Sequence, residues 1–281
     1  MNISVIIPTY NRANKIEIAV KSVLDQTYHP AEIIVVDDGS SDGTAAILDQ
    51  FADKITVIRN SENRGVSFSR NAGISRSTGD WIAFLDSDDT WHPGKLEAQV
   101  NYHSQHPEIL ISQCDEIWIR NGVRVNPMVK HAKHGGWIFD KCLPLCIVSP
   151  SAVIIHRSIF QDIGSFDEQL PACEDYDLWL RIAPHYEIGL LPEKLVTRYG
   201  GHPDQLSAKY WGMDRFRIQA MEKQIDADLE PVQKKAVLEQ LVFKCRVLAE
   251  GAAKRDNLEV TGIYGEKFKA YQRLLSELPP D

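Results

Sequence analysis

The first hundred residues repeat one pattern: a short apolar run, a polar turn, then a longer amphipathic stretch. The apolar runs are Ile3-Ser4-Val5-Ile6-Ile7, Ile33-Ile34-Val35-Val36, Ile55-Thr56-Val57-Ile58 and Ile82-Ala83-Phe84-Leu85. Short apolar runs bounded by turn residues predict buried strands, the first ended by Pro8. Between the first two, Ile16, Ala19, Val20, Val23 and Leu24 recur at helical spacing. Further helices are predicted over 44–51 and 65–77, with Gly79 as a C-terminal cap. Strands alternating with helices at this pitch predict βαβ units and a mainly parallel sheet.

The second half is less regular. A helix begins at Lys95 and ends near Pro107, and a strand covers 109–112. Residues 117–120 and 123–125 form a hairpin around Asn121-Gly122, a favoured two-residue turn. Residues 126–146 read as an irregular loop on the acceptor side, 147–156 as a strand, and 157–163 as a short helix. Leu178, Trp179 and Ile182 mark an amphipathic helix, with Trp179 read as core. From Lys209 onward the spacing is helical: 206–225, then from Pro231 through Leu248, then 264–278. Charges of both signs on these helices suit packed helices rather than a basic membrane-surface helix.

With 281 residues the chain can form one large domain with an extension, or two domains. A hydrophobic content of 43% and a charged content of 25% are those of a soluble globular protein. The formal net charge of -8 argues against nucleic acid as a partner and against general binding to anionic membranes. Such a chain can hold a phosphorylated ligand only with a metal or with placed arginines. The five cysteines form no Cys-x-x-Cys set; Cys142 and Cys146 are a weak metal or redox pair, and buried thiols are the preferred reading. Their odd number and the strand that starts at once after Met1 predict a cytoplasmic protein with no leader. No apolar run reaches the ~18–20 residues of a transmembrane segment.

Two of the strands run straight into carboxylates. Leu85 is followed by Asp86-Ser87-Asp88-Asp89, and Val36 by Asp37-Asp38-Gly39. Ionised carboxylates cannot stay in a dry core, so the chain must emerge there. In a parallel α/β sheet that edge is the ligand-binding side. Asp86 and Asp88 can converge on a hard cation, Mg2+ or Mn2+. Equally, Asp88 or Asp89 can cap the helix that Pro93 begins. In the loop Pro8-Thr9-Tyr10-Asn11-Arg12, a tyrosine face can stack on a base whose ring N–H Asp38 accepts; the other reading is a plain turn and a helix cap. No Gly-x-Gly-x-x-Gly or Gly-Lys-Ser/Thr loop is present, which counts against a dinucleotide site and a P-loop. Glu174, Asp175 and Asp177 fall in the first turn of a helix. The macrodipole explains acids there, and it also keeps such a carboxylate available as a base. His131 and His134 lack partners at zinc spacing.

Four motifs carry a family resemblance. Val5-Ile6-Ile7-Pro8-Thr9-Tyr10-Asn11, Val35-Val36-Asp37-Asp38-Gly39-Ser40, Asn63-Arg64-Gly65 with Ser69-Arg70-Asn71-Ala72-Gly73, and Leu85-Asp86-Ser87-Asp88-Asp89 resemble, in order and spacing, those of family 2 glycosyltransferases of the GT-A fold. The resemblance implies an α/β fold: a Rossmann-like, mixed but mainly parallel sheet flanked by helices, here with a C-terminal α-helical extension. It implies a catalytic domain over 1–208, with a nucleotide-sugar half (1–106) and an acceptor half (107–208), followed by helices over 209–281. Donor contacts would come from Pro8, Thr9, Tyr10, Asn11, Asp38, Arg70 and Asp86. Tyr10 would stack near uracil or another base, Arg70 would lie by the base or phosphates, and Asp86 would approach the ribose. Asp88 would ligate the metal, and His202 would reach the metal or the diphosphate, unless it is merely exposed on its loop. Asp175 would be the catalytic base, with Glu174 supporting it or binding acceptor. Arg64 and Arg70 also admit a reading as surface arginines.

The expected activity is inverting, Mn2+- or Mg2+-assisted transfer from a nucleoside-diphosphate sugar, foremost a UDP-sugar. The acceptor would be a glycan, a lipid-linked glycan or a small molecule. Peripheral contact at the inner face of a membrane and a homodimer through the C-terminal helices stay open. The alternative is a non-catalytic protein on the same scaffold that binds a nucleotide sugar or a partner. A nucleotidyltransferase would need a glycine-rich basic loop, which Pro8–Arg12 is not.

Overall fold

The computed structural model describes residues 1–201 and 209–278. Its strands join in one mixed sheet of nine among the described residues. β1 (Ile3–Thr9) lies between β2 (Glu32–Asp37) and β4 (Trp81–Phe84), and β3 (Thr56–Arg59) extends the sheet beyond β2; these four are parallel. β6 (Ile111–Arg120) and β9 (Ile188–Gly200) form a second parallel pair. β8 (Val153–His156) joins the two groups and runs antiparallel to both β4 and β6. β5 (Thr90–Trp91) edges β9, and β7 (Val123–Val125) forms the predicted hairpin with β6. At its turn, Asn121 and Gly122 both take positive φ (50° and 77°), as a type I′ turn requires.

The period-2 pattern decides which side chain enters which core. Val5, Ile7, Ala83 and Leu85 face one layer with α1 (Ile16–Leu24) and α2 (Thr44–Asp49). Ile6, Ile82 and Phe84 face the other. The helices α3 (Val66–Arg76), α4 (Lys95–Gln105), α5 (Phe139–Cys142), α6 (Arg157–Ile163) and α7 (Glu174–Ile182) lie between the strands in sequence. α8 (Asp214–Glu222), α9 (Pro231–Ala253) and α10 (Leu258–Glu277) follow. Their Met221, Leu241 and Tyr271 belong to the same apolar cluster as Tyr176 and Trp179. Among the described residues, no helix is long and apolar enough to cross a membrane.

Several local expectations differ from what is found. β1 does not stop at Pro8 but pairs through it to Thr9. Leu85 N–H donates to Ile6 C=O, whereas Asp38 N–H donates to Thr9 C=O. Pro8 therefore turns its missing N–H toward β4 just where β4 has left the sheet, so no ladder bond is lost. Gly79 is not a helix cap: Ser77 ends α3 in extended conformation. Instead Gly79 N–H donates to Ser4 Oγ at 2.8 Å, and a Cβ there would sit 2.5 Å from that oxygen. The strands expected at 109–112 and 117–120 are one strand with a register shift at Cys114–Glu116. Much of 147–156 is not strand, because Pro150 opens a 3-10 turn. α10 starts at Leu258, earlier than 264, since the Asn257 side chain accepts from Val260 N–H and caps it.

Candidate active site

The site is built where β4 ends. Leu85 is fully buried and Asp86 is 28% exposed, so the chain leaves the core at the first carboxylate. Asp86 N–H donates to Ser151 Oγ (3.1 Å), and that hydroxyl donates to Asp89 Oδ2 (2.7 Å). Asp89 Oδ1 accepts from Tyr199 N–H, so Asp89 points inward. Burial pushes its pKa well up; Arg198 opposes, and Asp86 and Asp88 add to the rise. Neither Asp88 nor Asp89 caps a helix, because α4 begins at Lys95 behind Gly94 with no side-chain cap.

Arg70, on α3, is 3% exposed and spans two acidic motifs. Its Nη2 donates to Asp86 Oδ1 (2.8 Å) and its Nη1 to Glu174 Oε1 (2.7 Å). Its guanidinium carbon lies 5.1 Å from the centre of the Phe166 ring. Burial disfavours the charge, but Asp86 and Glu174 outweigh it and raise the Arg70 pKa. The reading of Arg70 as a surface arginine is thereby excluded. Glu174 is also buried; burial and neighbouring Asp175 push its pKa up to about 7 against the pull of Arg70. Cys173 takes a left-handed conformation (φ 62°) just before α7. Asp175 Oδ1 accepts from Tyr176 N–H (2.7 Å), and the Cys146 thiol lies 3.4 Å from Oδ2.

The first loop is stitched to the second acidic turn. Asn11 N–H donates to Ser40 Oγ and Asn11 Oδ1 accepts from Ser41 N–H. Tyr10 projects from this loop at 43% exposure, while Pro8 and Thr9 are buried in β1. Asp38 is 3% exposed, and its oxygens accept from Asn60 Nδ2 (2.7 Å), Arg64 N–H (3.0 Å) and Gly65 N–H (2.8 Å). In this structure the Asp38 carboxylate holds the loop that opens α3; a base N–H would have to join donors already in place. The Arg64 guanidinium lies over the Phe68 ring. His202 falls outside the described residues.

The described residues contain no ready cluster of three metal-binding side chains. Asp86 and Asp88 offer hard carboxylate oxygens on one half-buried turn, and both add to the burial that raises the pKa of Asp89. That donor set fits a hard divalent cation whose remaining ligands are phosphate oxygens and water.

Sequence reasoning missed the support beneath this turn. Glu116, 1% exposed, lies 3.2 Å from Lys133 Nζ and 3.7 Å from Arg198 Nη1. Burial would raise its pKa, but these two cations bring it down to about 2. Lys133 and Arg198 also donate to Ser149 Oγ, and Arg198 Nε reaches to 3.8 Å from Asp89. A glutamate between strand residues was the available signal, since a buried charge demands partners. Its partners lie too far along the chain to be read.

The model of the family described as glycosyl transferase family 2 matches residues 4–164. The chain belongs to that family. An uncharacterized glycosyltransferase of Rickettsia prowazekii is 34% identical over 184 residues, which span 64% of this chain and 58% of the relative. The next relatives are spanned over only 35% and 27% of their lengths. From Escherichia coli, the UDP-Glc:alpha-D-GlcNAc-diphosphoundecaprenol beta-1,3-glucosyltransferase WfgD is 34% identical over 181 residues, 64% of this chain and 69% of WfgD. Residues 1–349 of S. aureus TarS in complex with UDP-GlcNAc share the fold, with a TM-score of 0.72, 18% identity, and coverage of 97% of this chain and 92% of that one. The match to this structure establishes the GT-A architecture for this family 2 member.

Proposed function

We propose that this family 2 member is an inverting glycosyltransferase that moves a sugar from a nucleoside-diphosphate donor to an acceptor hydroxyl. The observation that carries the reading is the Arg70 bridge, which ties the Asp86 turn to the start of α7. A transfer of this kind needs one group at the nucleophile and another at the leaving diphosphate, and the bridge joins the two segments that carry a candidate for each. WfgD is named for UDP-Glc and the TarS complex holds UDP-GlcNAc, which favours a UDP-sugar.

In this reading Pro8, Thr9, Tyr10 and Asn11, with Asp38, Arg70 and Asp86, form the donor side. Asp175 accepts the proton of the acceptor hydroxyl as its oxygen attacks the anomeric carbon and the diphosphate departs. Glu174 is committed to its ion pair with Arg70, which leaves the base role to its neighbour and suits Glu174 to orienting the acceptor. Mn2+ or Mg2+ held by Asp88, with Asp86 beside it and His202 as a further ligand, would neutralise charge on the leaving diphosphate. Residues 1–208 would form the catalytic unit and 209–281 its helical extension.

The test has two parts. Thermal shift with a panel of nucleotide sugars, with and without Mn2+, should find a stabilising donor. Asp175→Asn should then lower turnover by about 10²–10⁴-fold while keeping the donor-induced shift. Full turnover in that variant would remove Asp175 from the base role.

A further inference from the structure

A cavity of about 480 Å³ opens between the segment after β7 and the C-terminal helices. Leu145 and Ile147 line it; they flank Cys146, whose thiol touches Asp175. Asp214, Arg217 and Lys244, from α8 and α9, form a second wall. Lys130, Asp140 and Lys141 close it from the segment after β7. The C-terminal helices thus contribute to a concave surface one residue away from a neighbour of the proposed base.

The charge of this cavity is unlike that of the chain. Four cationic side chains and two carboxylates line it, in a protein of net charge -8. Arg217 Nη1 (2.8 Å) and Lys244 Nζ (2.9 Å) both donate to the same oxygen, Asp214 Oδ1. One carboxylate therefore serves two cations and leaves positive charge over. The Nε–H of Arg217 is buried with no partner among the described residues. Lys141 pairs with Asp140 in an exposed bridge, which costs little to exchange for another anion. Lys130 adds a fourth cation. Excess N–H donors around a concave space match the several acceptor oxygens of a phosphate. Pro144, Leu145, Ile147 and the 92%-exposed Val129 supply apolar wall beside them.

We propose that this cavity is an acceptor subsite that binds a phosphate group, so the acceptor is a phosphate- or diphosphate-linked molecule. Its phosphate sits among Lys130, Lys141 and Arg217 while its hydroxyl faces Asp175. The proposal rests on the reading of Asp175 as the base.

The probe is inorganic pyrophosphate, titrated into the full-length protein in EDTA so that no cation recruits it to the donor side. Saturable stabilisation is expected, weakened about tenfold by Arg217→Gln and by Lys130→Glu. Lys130 is exposed, so its charge reversal tests the cavity even where Arg217→Gln lowers Tm. Stabilisation by UDP with Mn2+ should be unchanged in both variants. Sedimentation with phosphatidylglycerol vesicles, against phosphatidylcholine, identifies the source of the phosphate. Vesicle binding lost in the same variants means a lipid-borne phosphate, and a response to pyrophosphate alone means a soluble ester; either supports the subsite. No response to pyrophosphate, or one that neither substitution weakens, overturns it. If UDP with Mn2+ gives no shift while pyrophosphate still responds to Lys130→Glu, the transferase reading fails and the anion site stands.

Discussion

Arg70 shows how a single side chain can hold two acidic segments together. Its planar fork satisfies Asp86 and Glu174 at once, from a position almost sealed from water. A lysine, with a single ammonium, has no such fork. Arg70→Ala leaves two carboxylates facing each other without a counter-charge, and breaking a buried pair in this way costs about 3–5 kcal/mol. Equilibrium denaturation of the variant should show that loss; an unchanged midpoint would mean that the bridge is not formed in solution. Glu116 leads to a pH dependence. Its pKa falls from the usual 4.5 to about 2 in the folded chain. The unfolded chain therefore binds more protons between those values, so the stabilisation is complete above about pH 4.5 and is lost as pH falls toward 2. Urea midpoints measured across that range should fall less steeply for Glu116→Gln, from a lower value at neutral pH. The sequence made Arg70 a candidate through its motif, but only burial distinguished it from an arginine on a helix surface. Glu116 fell between two expected strands, and only their fusion into β6 shows that it is buried; Lys133 and Arg198 could not be foreseen, because nothing local pairs them.

At the scale of elements, the end of β4 was legible for a physical reason. After Leu85 the carboxylates bring the backbone out of the core, so the Asp86 turn could be placed before any coordinates. After Val36 they do not, because Asp37 still pairs within β2 and both Asp37 and Asp38 stay buried, their oxygens accepting from Ser40, Arg64 and Gly65 N–H. The cores of α1, β2 and β8 were readable from apolar spacing in the same way. What escaped were effects of neighbouring backbone: Pro8 facing a strand that has already departed, and Gly79 pressed against Ser4. Gly39 belongs to that second class and yields a test. Its φ is +74°, and a Cβ would lie 2.7 Å from the carbonyl carbon of Glu62. Gly65 has φ +95° but open space around it. Gly39→Ala should therefore cost more than Gly65→Ala, by about 1–3 kcal/mol, and should weaken stabilisation by a donor nucleotide because Asp38 loses its grip on 60–65. Thermal melts of the two variants, with and without UDP and Mn2+, provide the comparison. Equal losses would mean that the loop yields freely.

For the molecule as a whole, the question is whether the C-terminal helices form a separate unit. Their apolar faces were legible from spacing; what they pack on was not, because amphipathic helices look alike whatever covers them. Leu241 of α9 is fully buried in a cluster that also contains Tyr176 and Trp179 of α7. Leu241→Ala should lower the stability of the entire chain by about 2–5 kcal/mol. Calorimetry should show one transition moved to lower temperature. An early, separate melting of the helices would show that they unfold alone and that the shared cluster contributes little.

The placement of β8 has a consequence for how the chain is made. β4 and β6 do not pair with each other; residues 153–156 lie between them, although they come last of the three in sequence. As the polypeptide leaves the ribosome, the parallel group β1 to β4 can close while the outer edge of β4 still has no neighbour. At about 5–20 residues per second, several seconds pass before its partner emerges. Throughout that interval a bare strand edge is offered to any other nascent chain nearby. The hazard during biosynthesis is thus written into strand order, and chaperone demand should follow translation speed across that stretch rather than the stability of the finished fold.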